Sequence, residues 1–409
     1  MLGDTLFADI GSKYGTPAYV YDLGELRSSA HQLRSQLPVG SEVLYSVKAN
    51  PHPAVVETLT AEGMAPEVSS PGELDLVITP DRALYTGPGK TPCEMRQALR
   101  AGVRTFSVES LADRDRLAEV CERTGHQADY LVRINGPSGS RGGSLRMTGR
   151  STAFGVDLDA ADDLAALFRP AGPTRPIGTH TFSATNIEDP AALLAELRRS
   201  VATAAHAVGR CGFTPRVLDL GGGFPAPSAK PGVRVALPNL AEGLAETLDE
   251  CFPGWRGGQP RILFESGRYL TATAGTLLTT VVDIKRSSGQ TFVLLDAGVN
   301  VLGGMTGLGR LMSPSTQPRT VGAEPSDGMP VSLVGPLCTP LDVLNRAATL
   351  ANPRPGQLLA VPNVGAYGLS ASLVGFLSRP MPVEVTVDVG RVQSVRRLQL
   401  RSSEVNLVE

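Results

Sequence analysis

Lysine is almost missing from this 409-residue chain: of 38 basic residues only Lys13, Lys48, Lys90, Lys230 and Lys285 are lysines. A genome biased toward arginine codons accounts for the scarcity, which leaves few places for chemistry that needs a lysine amine. Cysteine is sparse too. Cys93, Cys121, Cys211, Cys251 and Cys338 lie far apart with no CxxC pair, which excludes a disulfide framework or a cysteine zinc site and fits a reducing cytoplasm. Neither sign of charge is in excess, with a net charge of −2, so neither nucleic acid nor an anionic membrane is an expected partner. No apolar run approaches the ~20 residues that span a bilayer. The opening MLGDTLFADIGSKYG lacks the basic and then apolar order of a signal peptide. Five scattered histidines, with no HExxH or DxDxDG, supply no metal motif, so no metal is expected.

What is present is a chain long enough for two or three domains and a sizeable core. Short β-branched runs alternate with helical patterns such as Leu111–Arg123 and Ala191–Ala207. The candidate strands are Val43–Val47, Ala65–Ser69, Ala83–Thr86, Arg104–Val108, Tyr130–Ile134, Ile177–Phe182, Arg216–Leu220 and Arg261–Glu265. Repeated βα units build a parallel sheet, and eight of them over roughly 225 residues match a (β/α)₈ barrel. The barrel is placed at residues 26–268. Ser70-Pro71-Gly72-Glu73 and Thr91-Pro92-Cys93-Glu94 each offer a hydroxyl cap, a proline and a glutamate for a helix start. After Arg268 the runs Leu277–Ile284, Thr291–Asp296, Pro330–Val334, Leu358–Pro362 and Pro382–Val389 read as strands without long helices. Residues 269–409, joined by 1–25 with its strand Ala18–Tyr21, are expected to form a mostly β domain. The expected architecture is an α/β TIM barrel plus this C-terminal β domain. Gly136–Thr152 and Gly303–Met329 read as long loops.

In a parallel barrel the chemistry sits after the strand C-termini. There the first strand carries Lys48, the second Glu67, the fifth Arg133 and the sixth His180 and Ser183. The seventh is followed by Gly221-Gly222-Gly223, and the eighth ends in Glu265-Ser266-Gly267-Arg268. Lys48 ends an apolar strand, where a partly desolvated amine suits Schiff-base chemistry, although a salt bridge at the barrel mouth would also explain it. The GPGK turn holding Lys90 reads as structural. Two glycine turns after strands seven and eight, one beside an arginine, form a phosphate cradle. Glu265 in RILFES needs a cationic or hydrogen-bonding partner, either a protonated ring nitrogen or Arg268. His180 fits a general base, a ring stacked on a flat cofactor, or a satisfied core histidine. A lysine amine, a phosphate cradle, a buried carboxylate and a flat neighbour together describe a site for pyridoxal 5'-phosphate.

The segments YSVKANP, LDLGGGFP, ESGRYL, GPLC and GAYG, in collinear order between about Pro17 and Pro382, resemble the fold-type III pyridoxal-phosphate decarboxylases. That group holds the diaminopimelate, ornithine and biosynthetic arginine decarboxylases, with an alanine-racemase-like barrel. The resemblance implies that Lys48 bonds the cofactor as an imine, His180 stacks on its ring and Glu265 pairs with its nitrogen. It also implies that Ser183, Gly222, Gly223, Gly267, Arg268 and Tyr367 hold the phosphate. Glu67 stands where the family usually has an aspartate near the cofactor, and Arg133 lies in the family's RxN segment. Cys338 would reach into the partner subunit's site of a two-fold homodimer and protonate Cα, with Asp342 shaping the substrate pocket.

The departures bear on substrate. Diaminopimelate decarboxylases resemble CES where this chain has Cys338-Thr339-Pro340, and ornithine-type enzymes resemble CDGxD. GPLCTPLD, ESGRYL and GAYGLS look most like a natural-product (antibiotic) subgroup acting on an acidic amino acid held as a thioester on an acyl carrier protein. Glutamyl and 3-methylaspartyl thioesters are the substrates this implies, with Arg133, Cys338, Thr339 and Asp342 near them. Arg141, Arg146 and Arg150 in the Gly136–Thr152 loop are available to meet an acidic carrier, and solvated disorder is the plainer reading of that loop. The alternatives are decarboxylation of a free amino acid (ornithine, lysine or diaminopimelate) and a catalytically silent homologue that binds partners.

Overall fold

The computed structural model describes residues 2–136, 145–146, 153–303, 315–323 and 327–403. Its contacts divide the chain into two compact units. One comprises Leu26–Ala226 and Val233–Thr271; the other comprises Met1–Glu25, Pro227–Gly232 and Ala272–Glu409.

In the first unit eight parallel strands close into a barrel. They are Glu42–Ser46, Ala65–Val68, Leu84–Tyr85, Thr105–Val108, Ala128–Asn135, Thr174–His180, Val217–Asp219 and Arg261–Ser266. The fourth strand pairs with the fifth and the eighth returns to the first, so no edge is left inside the ring. Each expected strand is present. The sixth begins earlier than expected, at Thr174, and stops at His180. Leu44, Ala65, Leu84, Leu131, Ile177, Val217 and Leu263, from seven different strands, meet in one buried cluster. Each large side chain withdrawn from water in this way stabilises the barrel by about 1.5–3 kcal/mol.

The helix starts follow their sequence signals. Thr91 completes its capping box with Glu94. Ser70 accepts from the Glu73 N–H at 3.2 Å, but the Glu73 carboxylate turns to the Ser69 N–H instead. Leu111–Thr124 and Pro190–Cys211 end at Gly125 and Gly212 in the left-handed conformation.

The second unit is mostly strand. Ala18–Asp22 lies between Gly275–Ser287, antiparallel, and Val383–Asp388, parallel. Gln290–Leu295, Met329–Val334 and Leu358–Val361 extend the sheet. Val343–Leu350 and Arg391–Arg397 are strands that the sequence did not signal, because their outward side chains are polar and the alternation reads as loop. The helix Asp4–Tyr14, likewise unforeseen, places Phe7 and Ile10 in a core with Val20, Leu278 and Val385. Among the described residues, no helix is long and apolar enough to cross a membrane. Most of Gly136–Thr152 and part of Gly303–Met329, including Arg141 and Arg150, lie outside the described residues. Within the first of these loops, the backbone of Leu145–Arg146 pairs with Ala184–Thr185.

Candidate active site

The barrel strands deliver their last side chains to one rim. Lys48 sits in a single 3₁₀ turn, Val47–Ala49, directly after the first strand. Tyr45 Oη donates to the Asn50 carbonyl at 2.6 Å, and the His52 N–H donates to Asn50 Oδ1 at 3.0 Å, which pins that turn. From it Lys48 Nζ reaches both oxygens of Glu67, at 2.7 and 2.6 Å. Glu67 also accepts from Thr86 Oγ1 at 2.5 Å. The Lys48 side chain is 41% exposed and that of Glu67 1%, so solvent screens the pair and it orients the amine more than it stabilises the fold.

His180 and Glu265, from strands six and eight, stand face to face in the interior. His180 Nδ1 shares a hydrogen bond with Ser107 Oγ at 2.7 Å. Its Nε2 lies 3.1 Å from Glu265 Oε1, yet neither atom has a partner in hydrogen-bond geometry. Burial pushes the Glu265 carboxyl up, but the charges of His180, Lys48 and Arg133 outweigh it and hold Glu265 ionised at low pH. Asp219, at the end of strand seven, has the opposite balance. Burial and then the Glu265 charge raise it well above the ordinary carboxylate range, against one hydrogen bond from the Gly221 N–H. Its Oδ2 is also without a partner. Donor atoms of these three residues lie within 4.8 Å of one another. The arrangement is a carboxyl driven toward ionisation, a second driven toward its protonated form, and a histidine ring, with Glu265 Oε1 still unsatisfied.

Arg133 is buried, paired with Glu109 at 2.9 Å and lying over the Phe154 ring at 4.6 Å. Glu109 is held in turn by the Gly155 N–H at 2.8 Å. Lys90 is buried against Asp113 at 2.7 Å and donates to the Gly87 carbonyl, in line with its structural reading.

The glycine turns are tight for reasons of their own. A Cβ on Gly222 would lie 2.3 Å from the Glu265 carbonyl oxygen, and one on Gly267 would lie 2.7 Å from Ala49 Cβ. Gly221 and Gly223 have φ of 72° and 105°, a region open to glycine. Ser183 follows strand six, and Arg268 opens the short helix Arg268–Thr271 after Gly267. Lys48, Glu67, Arg133, His180, Ser183, Gly222, Gly223, Glu265, Gly267 and Arg268 therefore all belong to the C-terminal rim of the barrel unit.

Tyr367, Cys338, Thr339 and Asp342 belong to the other unit. Tyr367 has a left-handed φ of 53°, and Cys338 is exposed. Asp342 is buried, and its two carboxylate oxygens accept the Val299 and Leu337 N–H groups at 2.7 Å each.

Residues that sequence reasoning passed over are Ser107, Thr86, Glu109 and Asp219 as a site residue. Each is a polar residue at or just past the end of an apolar strand, which is the signal that singled out Glu265.

The residues fit pyridoxal phosphate. The rim offers a half-exposed amine, a buried acceptor without an aligned donor, a ring held by Ser107, and two glycine turns packed too closely for any side chain.

Residues 23–272 match the family model described as pyridoxal-dependent decarboxylase, pyridoxal binding domain. An L-glutamyl-[BtrI acyl-carrier protein] decarboxylase from Niallia circulans is 28% identical over 393 residues, covering 94% of this chain and 92% of its own. A diaminopimelate decarboxylase from Zymomonas mobilis is 31% identical over 420 residues, covering 97% and 93%. Among solved structures, diaminopimelate decarboxylase from Helicobacter pylori, complexed with L-lysine, shares the fold with a TM-score of 0.81 at 24% identity, covering 96% of this chain and 95% of that one.

Proposed function

The chain belongs to the pyridoxal-dependent decarboxylases, and from that membership we propose that it removes the α-carboxylate of an acidic amino acid carried as a thioester on an acyl carrier protein. It is a carboxy-lyase with pyridoxal phosphate as its cofactor. When bound, that group supplies an aldehyde for an amine and a ring that takes up the electron pair left behind by carbon dioxide. Lys48 would hold it through its amine, and Glu67, ion-paired with Lys48, would take and return the ammonium proton. Glu265 presents a fixed negative charge where a ring nitrogen is to stay protonated, and Ser107 fixes the His180 ring beside it. Gly222, Gly223, Gly267, Ser183, Arg268 and Tyr367 would hold the phosphate. Cys338 returns a proton to Cα from its thiol, in a homodimer where each copy serves the other's barrel. The five cysteines are free thiols, which suits a cytoplasmic enzyme.

One observation carries the substrate reading. A distal amine, as in diaminopimelate, ornithine or lysine, needs an available carboxylate in the loop after Cys338. Here Thr339, Pro340 and Leu341 follow, and the next acid, Asp342, has both oxygens engaged by backbone N–H groups. The likeness to the glutamyl-carrier decarboxylase supports the same reading. A free diaminopimelate substrate is the second reading, favoured by the 31% identity to the Zymomonas enzyme. Carbon dioxide release from glutamyl, aspartyl and 3-methylaspartyl carrier thioesters, measured beside free glutamate, diaminopimelate, ornithine and lysine, separates the two. Turnover of the free diamino acids at rates matching the thioesters rejects the carrier reading.

A further inference from the structure

The loop Gly335-Pro336-Leu337-Cys338-Thr339-Pro340-Leu341-Asp342 is wound around its own last residue. The Asp342 side chain is 2% exposed. Oδ2 accepts the Leu337 N–H at 2.7 Å, one residue before Cys338, and Oδ1 accepts the Val299 N–H, also at 2.7 Å, from a separate segment. The backbone closes the same knot. Gly335 N–H donates to the Asp342 carbonyl at 3.0 Å, Asp342 N–H to Thr339 O at 3.2 Å, and Thr339 N–H to Leu337 O at 2.8 Å.

The space for the carboxylate is cut out of the neighbouring sequence. A Cβ on Gly298 would lie 2.4 Å from Asp342 Oδ1, and one on Gly335 would lie 2.3 Å from Oδ2. Both positions have to be glycine for an aspartate to sit between them. An acid buried in this way, bonded through charge-assisted hydrogen bonds to two chain segments, acts as a rigid clamp. The exposed Cys338 is the residue it leaves projecting.

We infer that Asp342 is a positioning residue that fixes the backbone carrying Cys338, and so sets where the thiol is presented. This rests on the reading of Cys338 as the proton donor to Cα. Asp342 touches neither substrate nor cofactor in this account. Its replacement moves the thiol, and a displacement on the order of 1 Å at a reacting group lowers turnover by up to about 100-fold.

The test uses the holoenzyme and the variant Asp342→Asn, whose amide can accept only one of the two N–H groups. Turnover is expected to fall about tenfold or more with KM within about twofold, as for a group that acts only at the chemical step. A small methylthiolating reagent, read by peptide mass, supplies the second readout. The Cys338 rate should change at least about threefold relative to Cys93, the other exposed cysteine, which serves as internal control. Unchanged turnover, or a fall in turnover with an unchanged Cys338-to-Cys93 ratio, overturns the inference. If Asp342→Asn does not fold, hydrogen exchange of the wild-type enzyme decides. The Leu337 and Val299 amides should exchange at least about tenfold more slowly than the Leu341 amide, and equal rates reject the clamp. Cys338→Ser tests the proton-donor reading separately. Wild-type turnover in that variant removes the catalytic role of Cys338 while the labelling and exchange results still stand for or against the clamp.

Discussion

Replacing Glu265 by glutamine keeps its shape and removes its charge. The side chain is buried at the end of the eighth barrel strand, with His180 Nε2 at 3.1 Å and the charges of Lys48 and Arg133 also acting on it. A carboxylate and a protonated ring nitrogen of the cofactor about 3 Å apart would attract by roughly 5 kcal/mol at an effective dielectric of about 20. Much of that is offset by desolvation, so a charge-assisted hydrogen bond nets about 1.5–3 kcal/mol. The amide recovers only a neutral bond. If Glu265 supplies the charge that keeps the cofactor's ring nitrogen protonated, its loss should lower kcat by roughly 10- to 150-fold. Lys48 and the glycine turns are untouched, so cofactor occupancy, read from absorbance, should stay within about twofold of the wild type. The assay is carbon dioxide release at saturating substrate by variant and wild-type holoenzyme. A Glu265→Gln enzyme with full occupancy and turnover within about threefold of the wild type would refute the role assigned to this carboxylate.

Three further outcomes follow from the same geometry. Borohydride reduction of the holoenzyme should fix the pyridoxal group to the peptide holding Lys48, and Lys48→Ala should abolish that labelling; a label on Lys90 would contradict the assignment. Asp219 keeps a proton in the native state that the unfolded chain releases above about pH 4, so its contribution is full below that pH and is lost as pH rises through the higher native value. Asp219→Asn cannot ionise, so the variant-minus-wild-type difference in Tm should grow with pH above about 4; parallel curves would show that Asp219 is ionised in the native protein. Glu109→Gln removes the carboxylate paired with the buried Arg133 guanidinium and should cost about 3–5 kcal/mol in urea unfolding, most of it recovered by adding Arg133→Met; a cost below about 1 kcal/mol would show that this pair does not hold Arg133 in the fold.

The barrel is legible because short apolar runs bounded by turn residues recur between helical patterns, and the position of Lys48 follows from a lone amine ending such a run. The rim chemistry was legible where one residue type contradicts its strand, as Glu265 does in RILFES. What stayed hidden depends on closure of the ring. Ser107 and His180 are 73 residues apart, and only pairing of the intervening strands shows that one fixes the other's imidazole. Glu109 and Arg133, 24 apart, meet across adjacent strands in the same way. The hydrogen bonds of Asp342 are not legible either, because a sequence does not reveal which direction an acid faces. Its inward turn needs Val299, 43 residues earlier, and the room left by Gly298 and Gly335. Val343–Leu350 carries no strand signal because Asn345, Arg346 and Thr349 break up its apolar residues.

The central claim is the substrate. The most direct measurement is intact-mass spectrometry of an acyl carrier protein loaded with glutamate, incubated with the holoenzyme and with its Lys48→Ala variant. The carrier species should lose the mass of carbon dioxide with the wild-type enzyme and not with the variant, while free diaminopimelate is left intact. A carrier unchanged in mass, with diaminopimelate converted to lysine, would contradict it.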